Sequence, residues 1–120
     1  MGIDLVRNDQ VLPLRTSFWS DCLDLAEAFG WHPQGTTPPL TAHSAHQPNR
    51  TYGYTTSDWQ RVTDTDAYSM AAALYRAISA HQSGLKVQSN QVSALSRLSR
   101  GIDLLKRVAE FVDQGGFEIG

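Results

Sequence analysis

Ser89-Asn90-Gln91-Val92-Ser93-Ala94-Leu95-Ser96-Arg97-Leu98-Ser99-Arg100-Gly101-Ile102-Asp103-Leu104-Leu105-Lys106-Arg107-Val108-Ala109-Glu110-Phe111-Val112-Asp113 decides the fold class. Within it Val92, Leu95, Leu98, Ile102, Leu105, Ala109 and Val112 recur in steps of three and four, the spacing of a helix face that packs along another helix. Gly101 interrupts the run at a cost of about 1 kcal/mol relative to alanine, and marks a kink or a close contact. Gly115-Gly116 ends the helix, and Phe117-Glu118-Ile119 alternates as a short strand.

Upstream, a second helix is predicted to begin at Thr63. Thr63 with Asp66 three residues on resembles a capping box. Ala67, Met70, Ala71, Leu74 and Ile78 follow at helical spacing, and Gly84 follows the predicted end. A first helix is predicted from Ser17. Its apolar face is Phe18, Cys22, Leu25, Ala26 and Phe29, with Thr16 or Ser17 as cap and Asp21 and Asp24 toward the positive end of the dipole. Gly30 and Trp31 form a Schellman-type stop. Ahead of it, Ile3–Arg7 and Gln10–Arg15 flank the turn pair Asn8-Asp9 as a hairpin, and Pro13 confines the second strand to an edge. Residues 32–51, rich in proline, read as a long irregular loop, and Tyr52, Tyr54 and Thr55 as a short strand after it. Strands in separate blocks rather than βαβ alternation predict an α+β domain over 1–120. About three helices pack on a small, mainly antiparallel sheet made by both termini and a mid-chain strand.

The 120 residues, 41% hydrophobic and 18% charged, suit one core without metal or disulfide staples. Ten basic against twelve acidic residues give a net charge of -2, which does not supply the basic face of a nucleic-acid binder. The lone Cys22 reads as a small buried hydrophobe. The first residues carry no basic leader and no apolar run approaches a membrane span, so a cytoplasmic protein without membrane contact is expected. His43 and His46 lack a third and fourth ligand nearby, so no metal and no cofactor is expected. There is no nucleophile elbow and no phosphate-binding glycine loop. Asp58, Asp64 and Asp66 read as turn and cap residues. Lys86, Arg97, Arg100, Lys106 and Arg107 give the third helix a mildly basic, solvated face.

Trp31, Arg50, Tyr52, Tyr54, Trp59 and Arg61 cluster in or beside the loop and are of the types that anchor protein interfaces. They are the candidate partner-binding residues. The leading expectation is a non-enzymatic protein-binding module, monomer or homodimer, of which a bacterial immunity or antitoxin-like inhibitor is one kind. The alternatives are a small enzyme or ligand-binding domain with the 32–51 loop as a lid, and a homo-oligomeric structural protein using the heptad seam.

The stretch Tyr54-Thr55-Thr56-Ser57-Asp58-Trp59-Gln60-Arg61-Val62-Thr63-Asp64-Thr65-Asp66-Ala67, the alanine-rich helix after it, and Phe111-Val112-Asp113-Gln114-Gly115-Gly116-Phe117-Glu118-Ile119 resemble a group of small uncharacterised bacterial proteins. The likeness covers about half of the chain and implies a shape, with no functional residue to carry over. In those proteins the turn typically reads Asn-Asp-Gly-Gln. Here Ser57-Asp58-Trp59-Gln60 has tryptophan in place of the glycine, which bears on the turn geometry and would expose an aromatic ring.

Overall fold

The computed structural model describes residues 2–39, 53–84 and 88–120. The chain opens with strands β1 (Gly2–Arg7) and β2 (Gln10–Arg15), and helix α1 (Thr16–Ala28) follows β2 without a break. Strand β3 (Gln60–Val62), helix α2 (Asp64–Ser83), helix α3 (Ser89–Leu98), a 3-10 turn (Ser99–Gly101), helix α4 (Ile102–Val112) and strand β4 (Phe117–Ile119) complete the order. The sheet runs β2-β1-β4-β3 with every pairing antiparallel. Three helical units, the third broken into α3 and α4, pack on one face of it in the expected α+β arrangement.

The hairpin forms as its turn residues predict. Asn8 takes φ 53, the left-handed region that asparagine tolerates. Asp4 and Gly120 exchange both backbone hydrogen bonds at 2.9 Å. Asp4 therefore has a non-hydrogen-bonded register partner in Pro13, on edge strand β2, and the missing N–H of that proline faces outward where no ladder needs it.

Helix α1 ends in a Schellman motif. Trp31 N–H donates to Ala26 O at 2.9 Å and Gly30 N–H to Glu27 O at 3.2 Å, with Gly30 at φ 105. Arg76 donates to Phe29 O, and Gln91 Nε2 to Ala28 O, so the helix end is satisfied by α2 and α3. The expected cap at Thr16 or Ser17 does not form: Arg15 is the N-cap and no side chain caps the helix. The strand runs straight into the helix and leaves no turn for one. No acid lies in its first turn; Asp21 and Asp24 instead face Arg97 of α3 at 3.7 and 3.5 Å.

On α2 the expected face is buried throughout, and Gly84 terminates the helix in a left-handed conformation. The third helix is not continuous. Phe18 occupies the space beside Gly101, where an added Cβ would lie 2.8 Å from its ring, and the helix breaks there. Leu98, Leu105, Ala109 and Val112 are buried, whereas Val92, expected in the seam, is 52% exposed because the α3 segment turns with its own phase. At the other end Asp64 Oδ1 accepts the Gly116 N–H at 2.7 Å, and a Cβ on Gly116 would lie 2.6 Å from Val62 O. Arg7 closes the α4–β4 turn by donating to Gly115 O and Gly116 O while its guanidinium lies 4.4 Å over the Phe111 ring.

The mid-chain strand is Gln60–Val62, not the Tyr52–Thr55 segment expected from its aromatic content. Tyr54 and Thr55 lie in a bend, and Tyr52 is outside the described residues. Of the expected loop, 32–39 is irregular apart from one bridge between Thr37 and Arg61; 40–51, which includes Arg50, His43 and His46, is outside them, as is Lys86. No helix among the described residues is long and apolar enough to cross a membrane.

Candidate functional site

The segment after α1 and the turn before β3 are held to the N-terminus of α2 by one carboxylate. Asp66 is fully buried, and its Oδ1 accepts from Trp31 Nε1 at 2.9 Å and from the Gln34 N–H at 3.3 Å. Its Oδ2 accepts from the Tyr54 hydroxyl at 2.6 Å. The backbone N–H of Asp66 donates to Thr63 Oγ1 at 3.2 Å, so half of the expected capping box forms. The acid side chain that would complete the box serves as a tether instead. Hydrogen bonds from three donors offset the cost of burying the group.

Tyr54 belongs to the same knot. Its hydroxyl accepts from the Gly35 N–H at 2.9 Å, its carbonyl accepts from Trp19 Nε1 at 2.7 Å, and its ring meets Trp31 edge-on at 5.3 Å. Burial, reinforced by the hydrogen bond to Asp66, pushes the Tyr54 phenol above its ordinary pKa. Trp31 is 2% exposed, so a partner of the folded chain does not touch it. Trp31 is an anchor beneath the surface, and Tyr54 is half-buried against it.

Gln60 shapes the turn above them. Its buried side chain donates through Nε2 to Gly53 O and Thr56 O, each at 2.8 Å, and accepts the Asp58 N–H at 3.0 Å. That set of bonds uses both ends of the amide and fixes residues 53–58 around it. Trp59 then enters the sheet with φ 62. Its N–H donates to Ile119 O at 2.8 Å, while Gln60 is the register partner of the same Ile119. Two residues facing one, the first left-handed, is the G1 bulge, whose first position is usually glycine. The tryptophan thus sits in a conformation that glycine adopts without strain.

The indole reaches over the sheet. A Cβ built on Gly120 would lie 2.5, 2.6 and 2.8 Å from ring atoms Cζ3, Cη2 and Cε3 of Trp59. Near-equal distances to three adjacent atoms place one ring face on the glycine, and only glycine leaves room for it. Trp59 remains 48% exposed. Beside it the outer edge of β3 is covered where Thr37 and Arg61 exchange backbone hydrogen bonds at 2.8 and 2.9 Å. The Arg61 side chain donates from Nε to Pro38 O at 3.3 Å.

Of the six candidate residues, Trp59 is exposed, Tyr54 and Arg61 are half-buried, Trp31 is buried, and Arg50 and Tyr52 lie outside the described residues. Sequence reasoning missed Asp66, Gln60 and Trp19. The first two were polar in a turn-rich stretch, and only their side-chain bonds mark them as interior. Among the described residues, no group of three or more His, Cys, Asp or Glu comes together to hold a metal. An open groove of about 400 Å³ runs past Arg7, Arg61, Asp64 and Glu118 at the end of the sheet. Comparison of the chain with protein-family models, with curated proteins and with solved structures gives no match.

Proposed function

We propose that the chain is a non-enzymatic protein-binding module whose contact face is centred on Trp59, with Arg61 beside it. The observation that carries this reading is the combination at Trp59: a large aromatic ring, half exposed, in a left-handed backbone conformation. A non-glycine residue there costs about 1 kcal/mol or more, and glycine would remove that cost. Retaining the strain is understandable if the ring contributes something in a complex that it does not contribute in the free chain. Tryptophan and arginine are the side chains most enriched among interface hot spots.

The surroundings support the same reading. The Asp66 knot and the Gln60 amide hold the turn from below, so the ring is presented from a preorganised support and little ordering is required on binding. An inhibitor of the immunity or antitoxin type, seated on another protein's surface, is one form that such a module takes. The test is capture from a lysate of the cells that make the protein, with wild type and Trp59→Gly immobilised at equal loading. The reading expects at least one protein retained by wild type to fall by a factor of roughly thirty on the variant, the scale of one hot spot. Identical retained sets would overturn it.

A further inference from the structure

The sheet face opposite the helices is covered by no described element, and the register fixes what it presents. Ile3, Leu5, Leu12, Leu14, Phe117 and Ile119 point into the core. Alternation therefore turns Asp4, Val6, Val11, Pro13, Glu118 and Gly120 outward. Across the strands these form two rows. One runs Val11, Val6, Glu118, Arg61; the other runs Pro13, Asp4, Gly120 and, at the bulge, Trp59.

Two carboxylates occupy the middle of this face. Asp4 is hydrogen-bonded through its backbone to Gly120, on which the indole lies, and Glu118 is two residues from Gly120 on the same side. Among the described residues neither forms an ion pair. Arg61, in register with Glu118, directs its Nε to Pro38 O at the outer edge. Asp4 and Glu118 thus neighbour Gly120, on which the indole lies, with Val6, Val11 and Pro13 as an apolar continuation of the same face; Val11 is 57% exposed. An aromatic face beside carboxylates is the environment that a cation seeks, and an arginine stacks on it with its planar guanidinium while its N–H groups reach the acids. Pro13 denies an incoming strand its N–H on the β2 edge, so a partner meets the face of the sheet rather than adding a strand there.

We infer that this face receives a basic segment of the protein partner, with an arginine or lysine laid on Trp59 between Asp4 and Glu118. The inference rests on the protein-binding reading and names the partner's chemistry. The test titrates ¹⁵N-labelled full chain with a capped Gly-Arg-Gly-Arg-Gly peptide and, in parallel, with its glutamate counterpart. The Trp59 indole N–H is followed together with the amides of Asp4, Val6, Glu118 and Gly120. Trp19 and Trp31, whose indole N–H groups are bonded inside the protein, serve as internal references. The expected result is saturable shifts at Trp59 and its neighbours with the arginine peptide alone. Affinity should fall about tenfold in an Asp4→Asn/Glu118→Gln double variant, the scale of one charge-assisted contact. Equal shifts with the glutamate peptide, shifts confined to other carboxylates such as Glu110 and Asp113, or an unchanged affinity in the double variant would overturn it. The same double variant used in the capture experiment separates the two readings. A partner lost by Trp59→Gly but held equally by the double variant overturns this inference and leaves the protein-binding reading standing. Retention of every captured protein by Trp59→Gly at the wild-type level overturns the protein-binding reading itself.

Discussion

Replacing Trp59 by glycine and by alanine should give stabilities in the order opposite to the usual one. In a helix or strand, alanine is favoured over glycine because glycine loses more conformational freedom on folding. At φ 62 the order reverses, since alanine keeps the Cβ that clashes in the left-handed region and glycine does not. A tryptophan side chain buries roughly 150–250 Å² when fully enclosed. With Trp59 at 48% exposure, about half of that area, on the order of 100 Å², lies against Gly120 and its surroundings. At about 25 cal/mol per Å² its loss costs ~2.5 kcal/mol as an upper figure. Trp59→Ala should lose that amount with the backbone strain retained. Trp59→Gly should recover about 1 kcal/mol and so be destabilised by only ~1.5 kcal/mol. The gap of about 1 kcal/mol between the variants corresponds to a melting temperature difference on the order of 4 °C for a chain of this size. Urea titrations read by far-ultraviolet circular dichroism measure both, with Trp19 and Trp31 as fluorescent reporters of the core. Equal stability, or alanine above glycine, would refute the left-handed bulge at 59 and with it the strain argument for a contact face.

Three other outcomes follow from the interior. Asp66→Ala should cost roughly 3 kcal/mol, because it leaves the Trp31 indole and the Tyr54 hydroxyl without an acceptor, and Asp66→Asn should fall between it and wild type; equal urea midpoints for all three proteins would contradict the tether. Leu98→Ala should cost about 2–5 kcal/mol, since its side chain is enclosed beside the helix break, and an unchanged urea midpoint would contradict that packing. Burial pushes the Cys22 thiol pKa well above its ordinary value, so at pH 8 the native chain holds far less reactive thiolate than free cysteine. Alkylation should then proceed only through opening of the fold and accelerate with urea; a rate equal to that of free cysteine in buffer would contradict it.

The sequence carried the fold further than the site. Periodicity alone placed Leu98, Leu105, Ala109 and Val112 in the core, and the helix stops at Gly30, Gly84 and Gly115-Gly116 followed from backbone chemistry. Gly101 announced a break or a contact, and Phe18 supplies both. The mid-chain strand escaped because aromatic content favoured the Tyr52–Thr55 segment, whereas Gln60-Arg61-Val62 looks polar; its burial comes from an amide satisfied by the turn beside it, which no apolar pattern encodes. In the sequence Asp66 reads as a cap, because its spacing from Thr63 fits one. The partners that turn it into a tether, Trp31 and Tyr54, are distant in sequence. Trp59 was legible as an interface type, but the feature that distinguishes it, a ring laid on Gly120 from a left-handed bulge, appears only when β3 and β4 are paired. The row that sets Asp4 and Glu118 beside that ring depends on the same pairing.

As the proposed anchor of a protein contact, Trp59 is tested by the equilibrium affinity of a captured partner for wild type and for Trp59→Gly. At a temperature where both chains are folded, the variant should lose at least about 2 kcal/mol, or roughly thirtyfold in Kd. An affinity within twofold of wild type would contradict it.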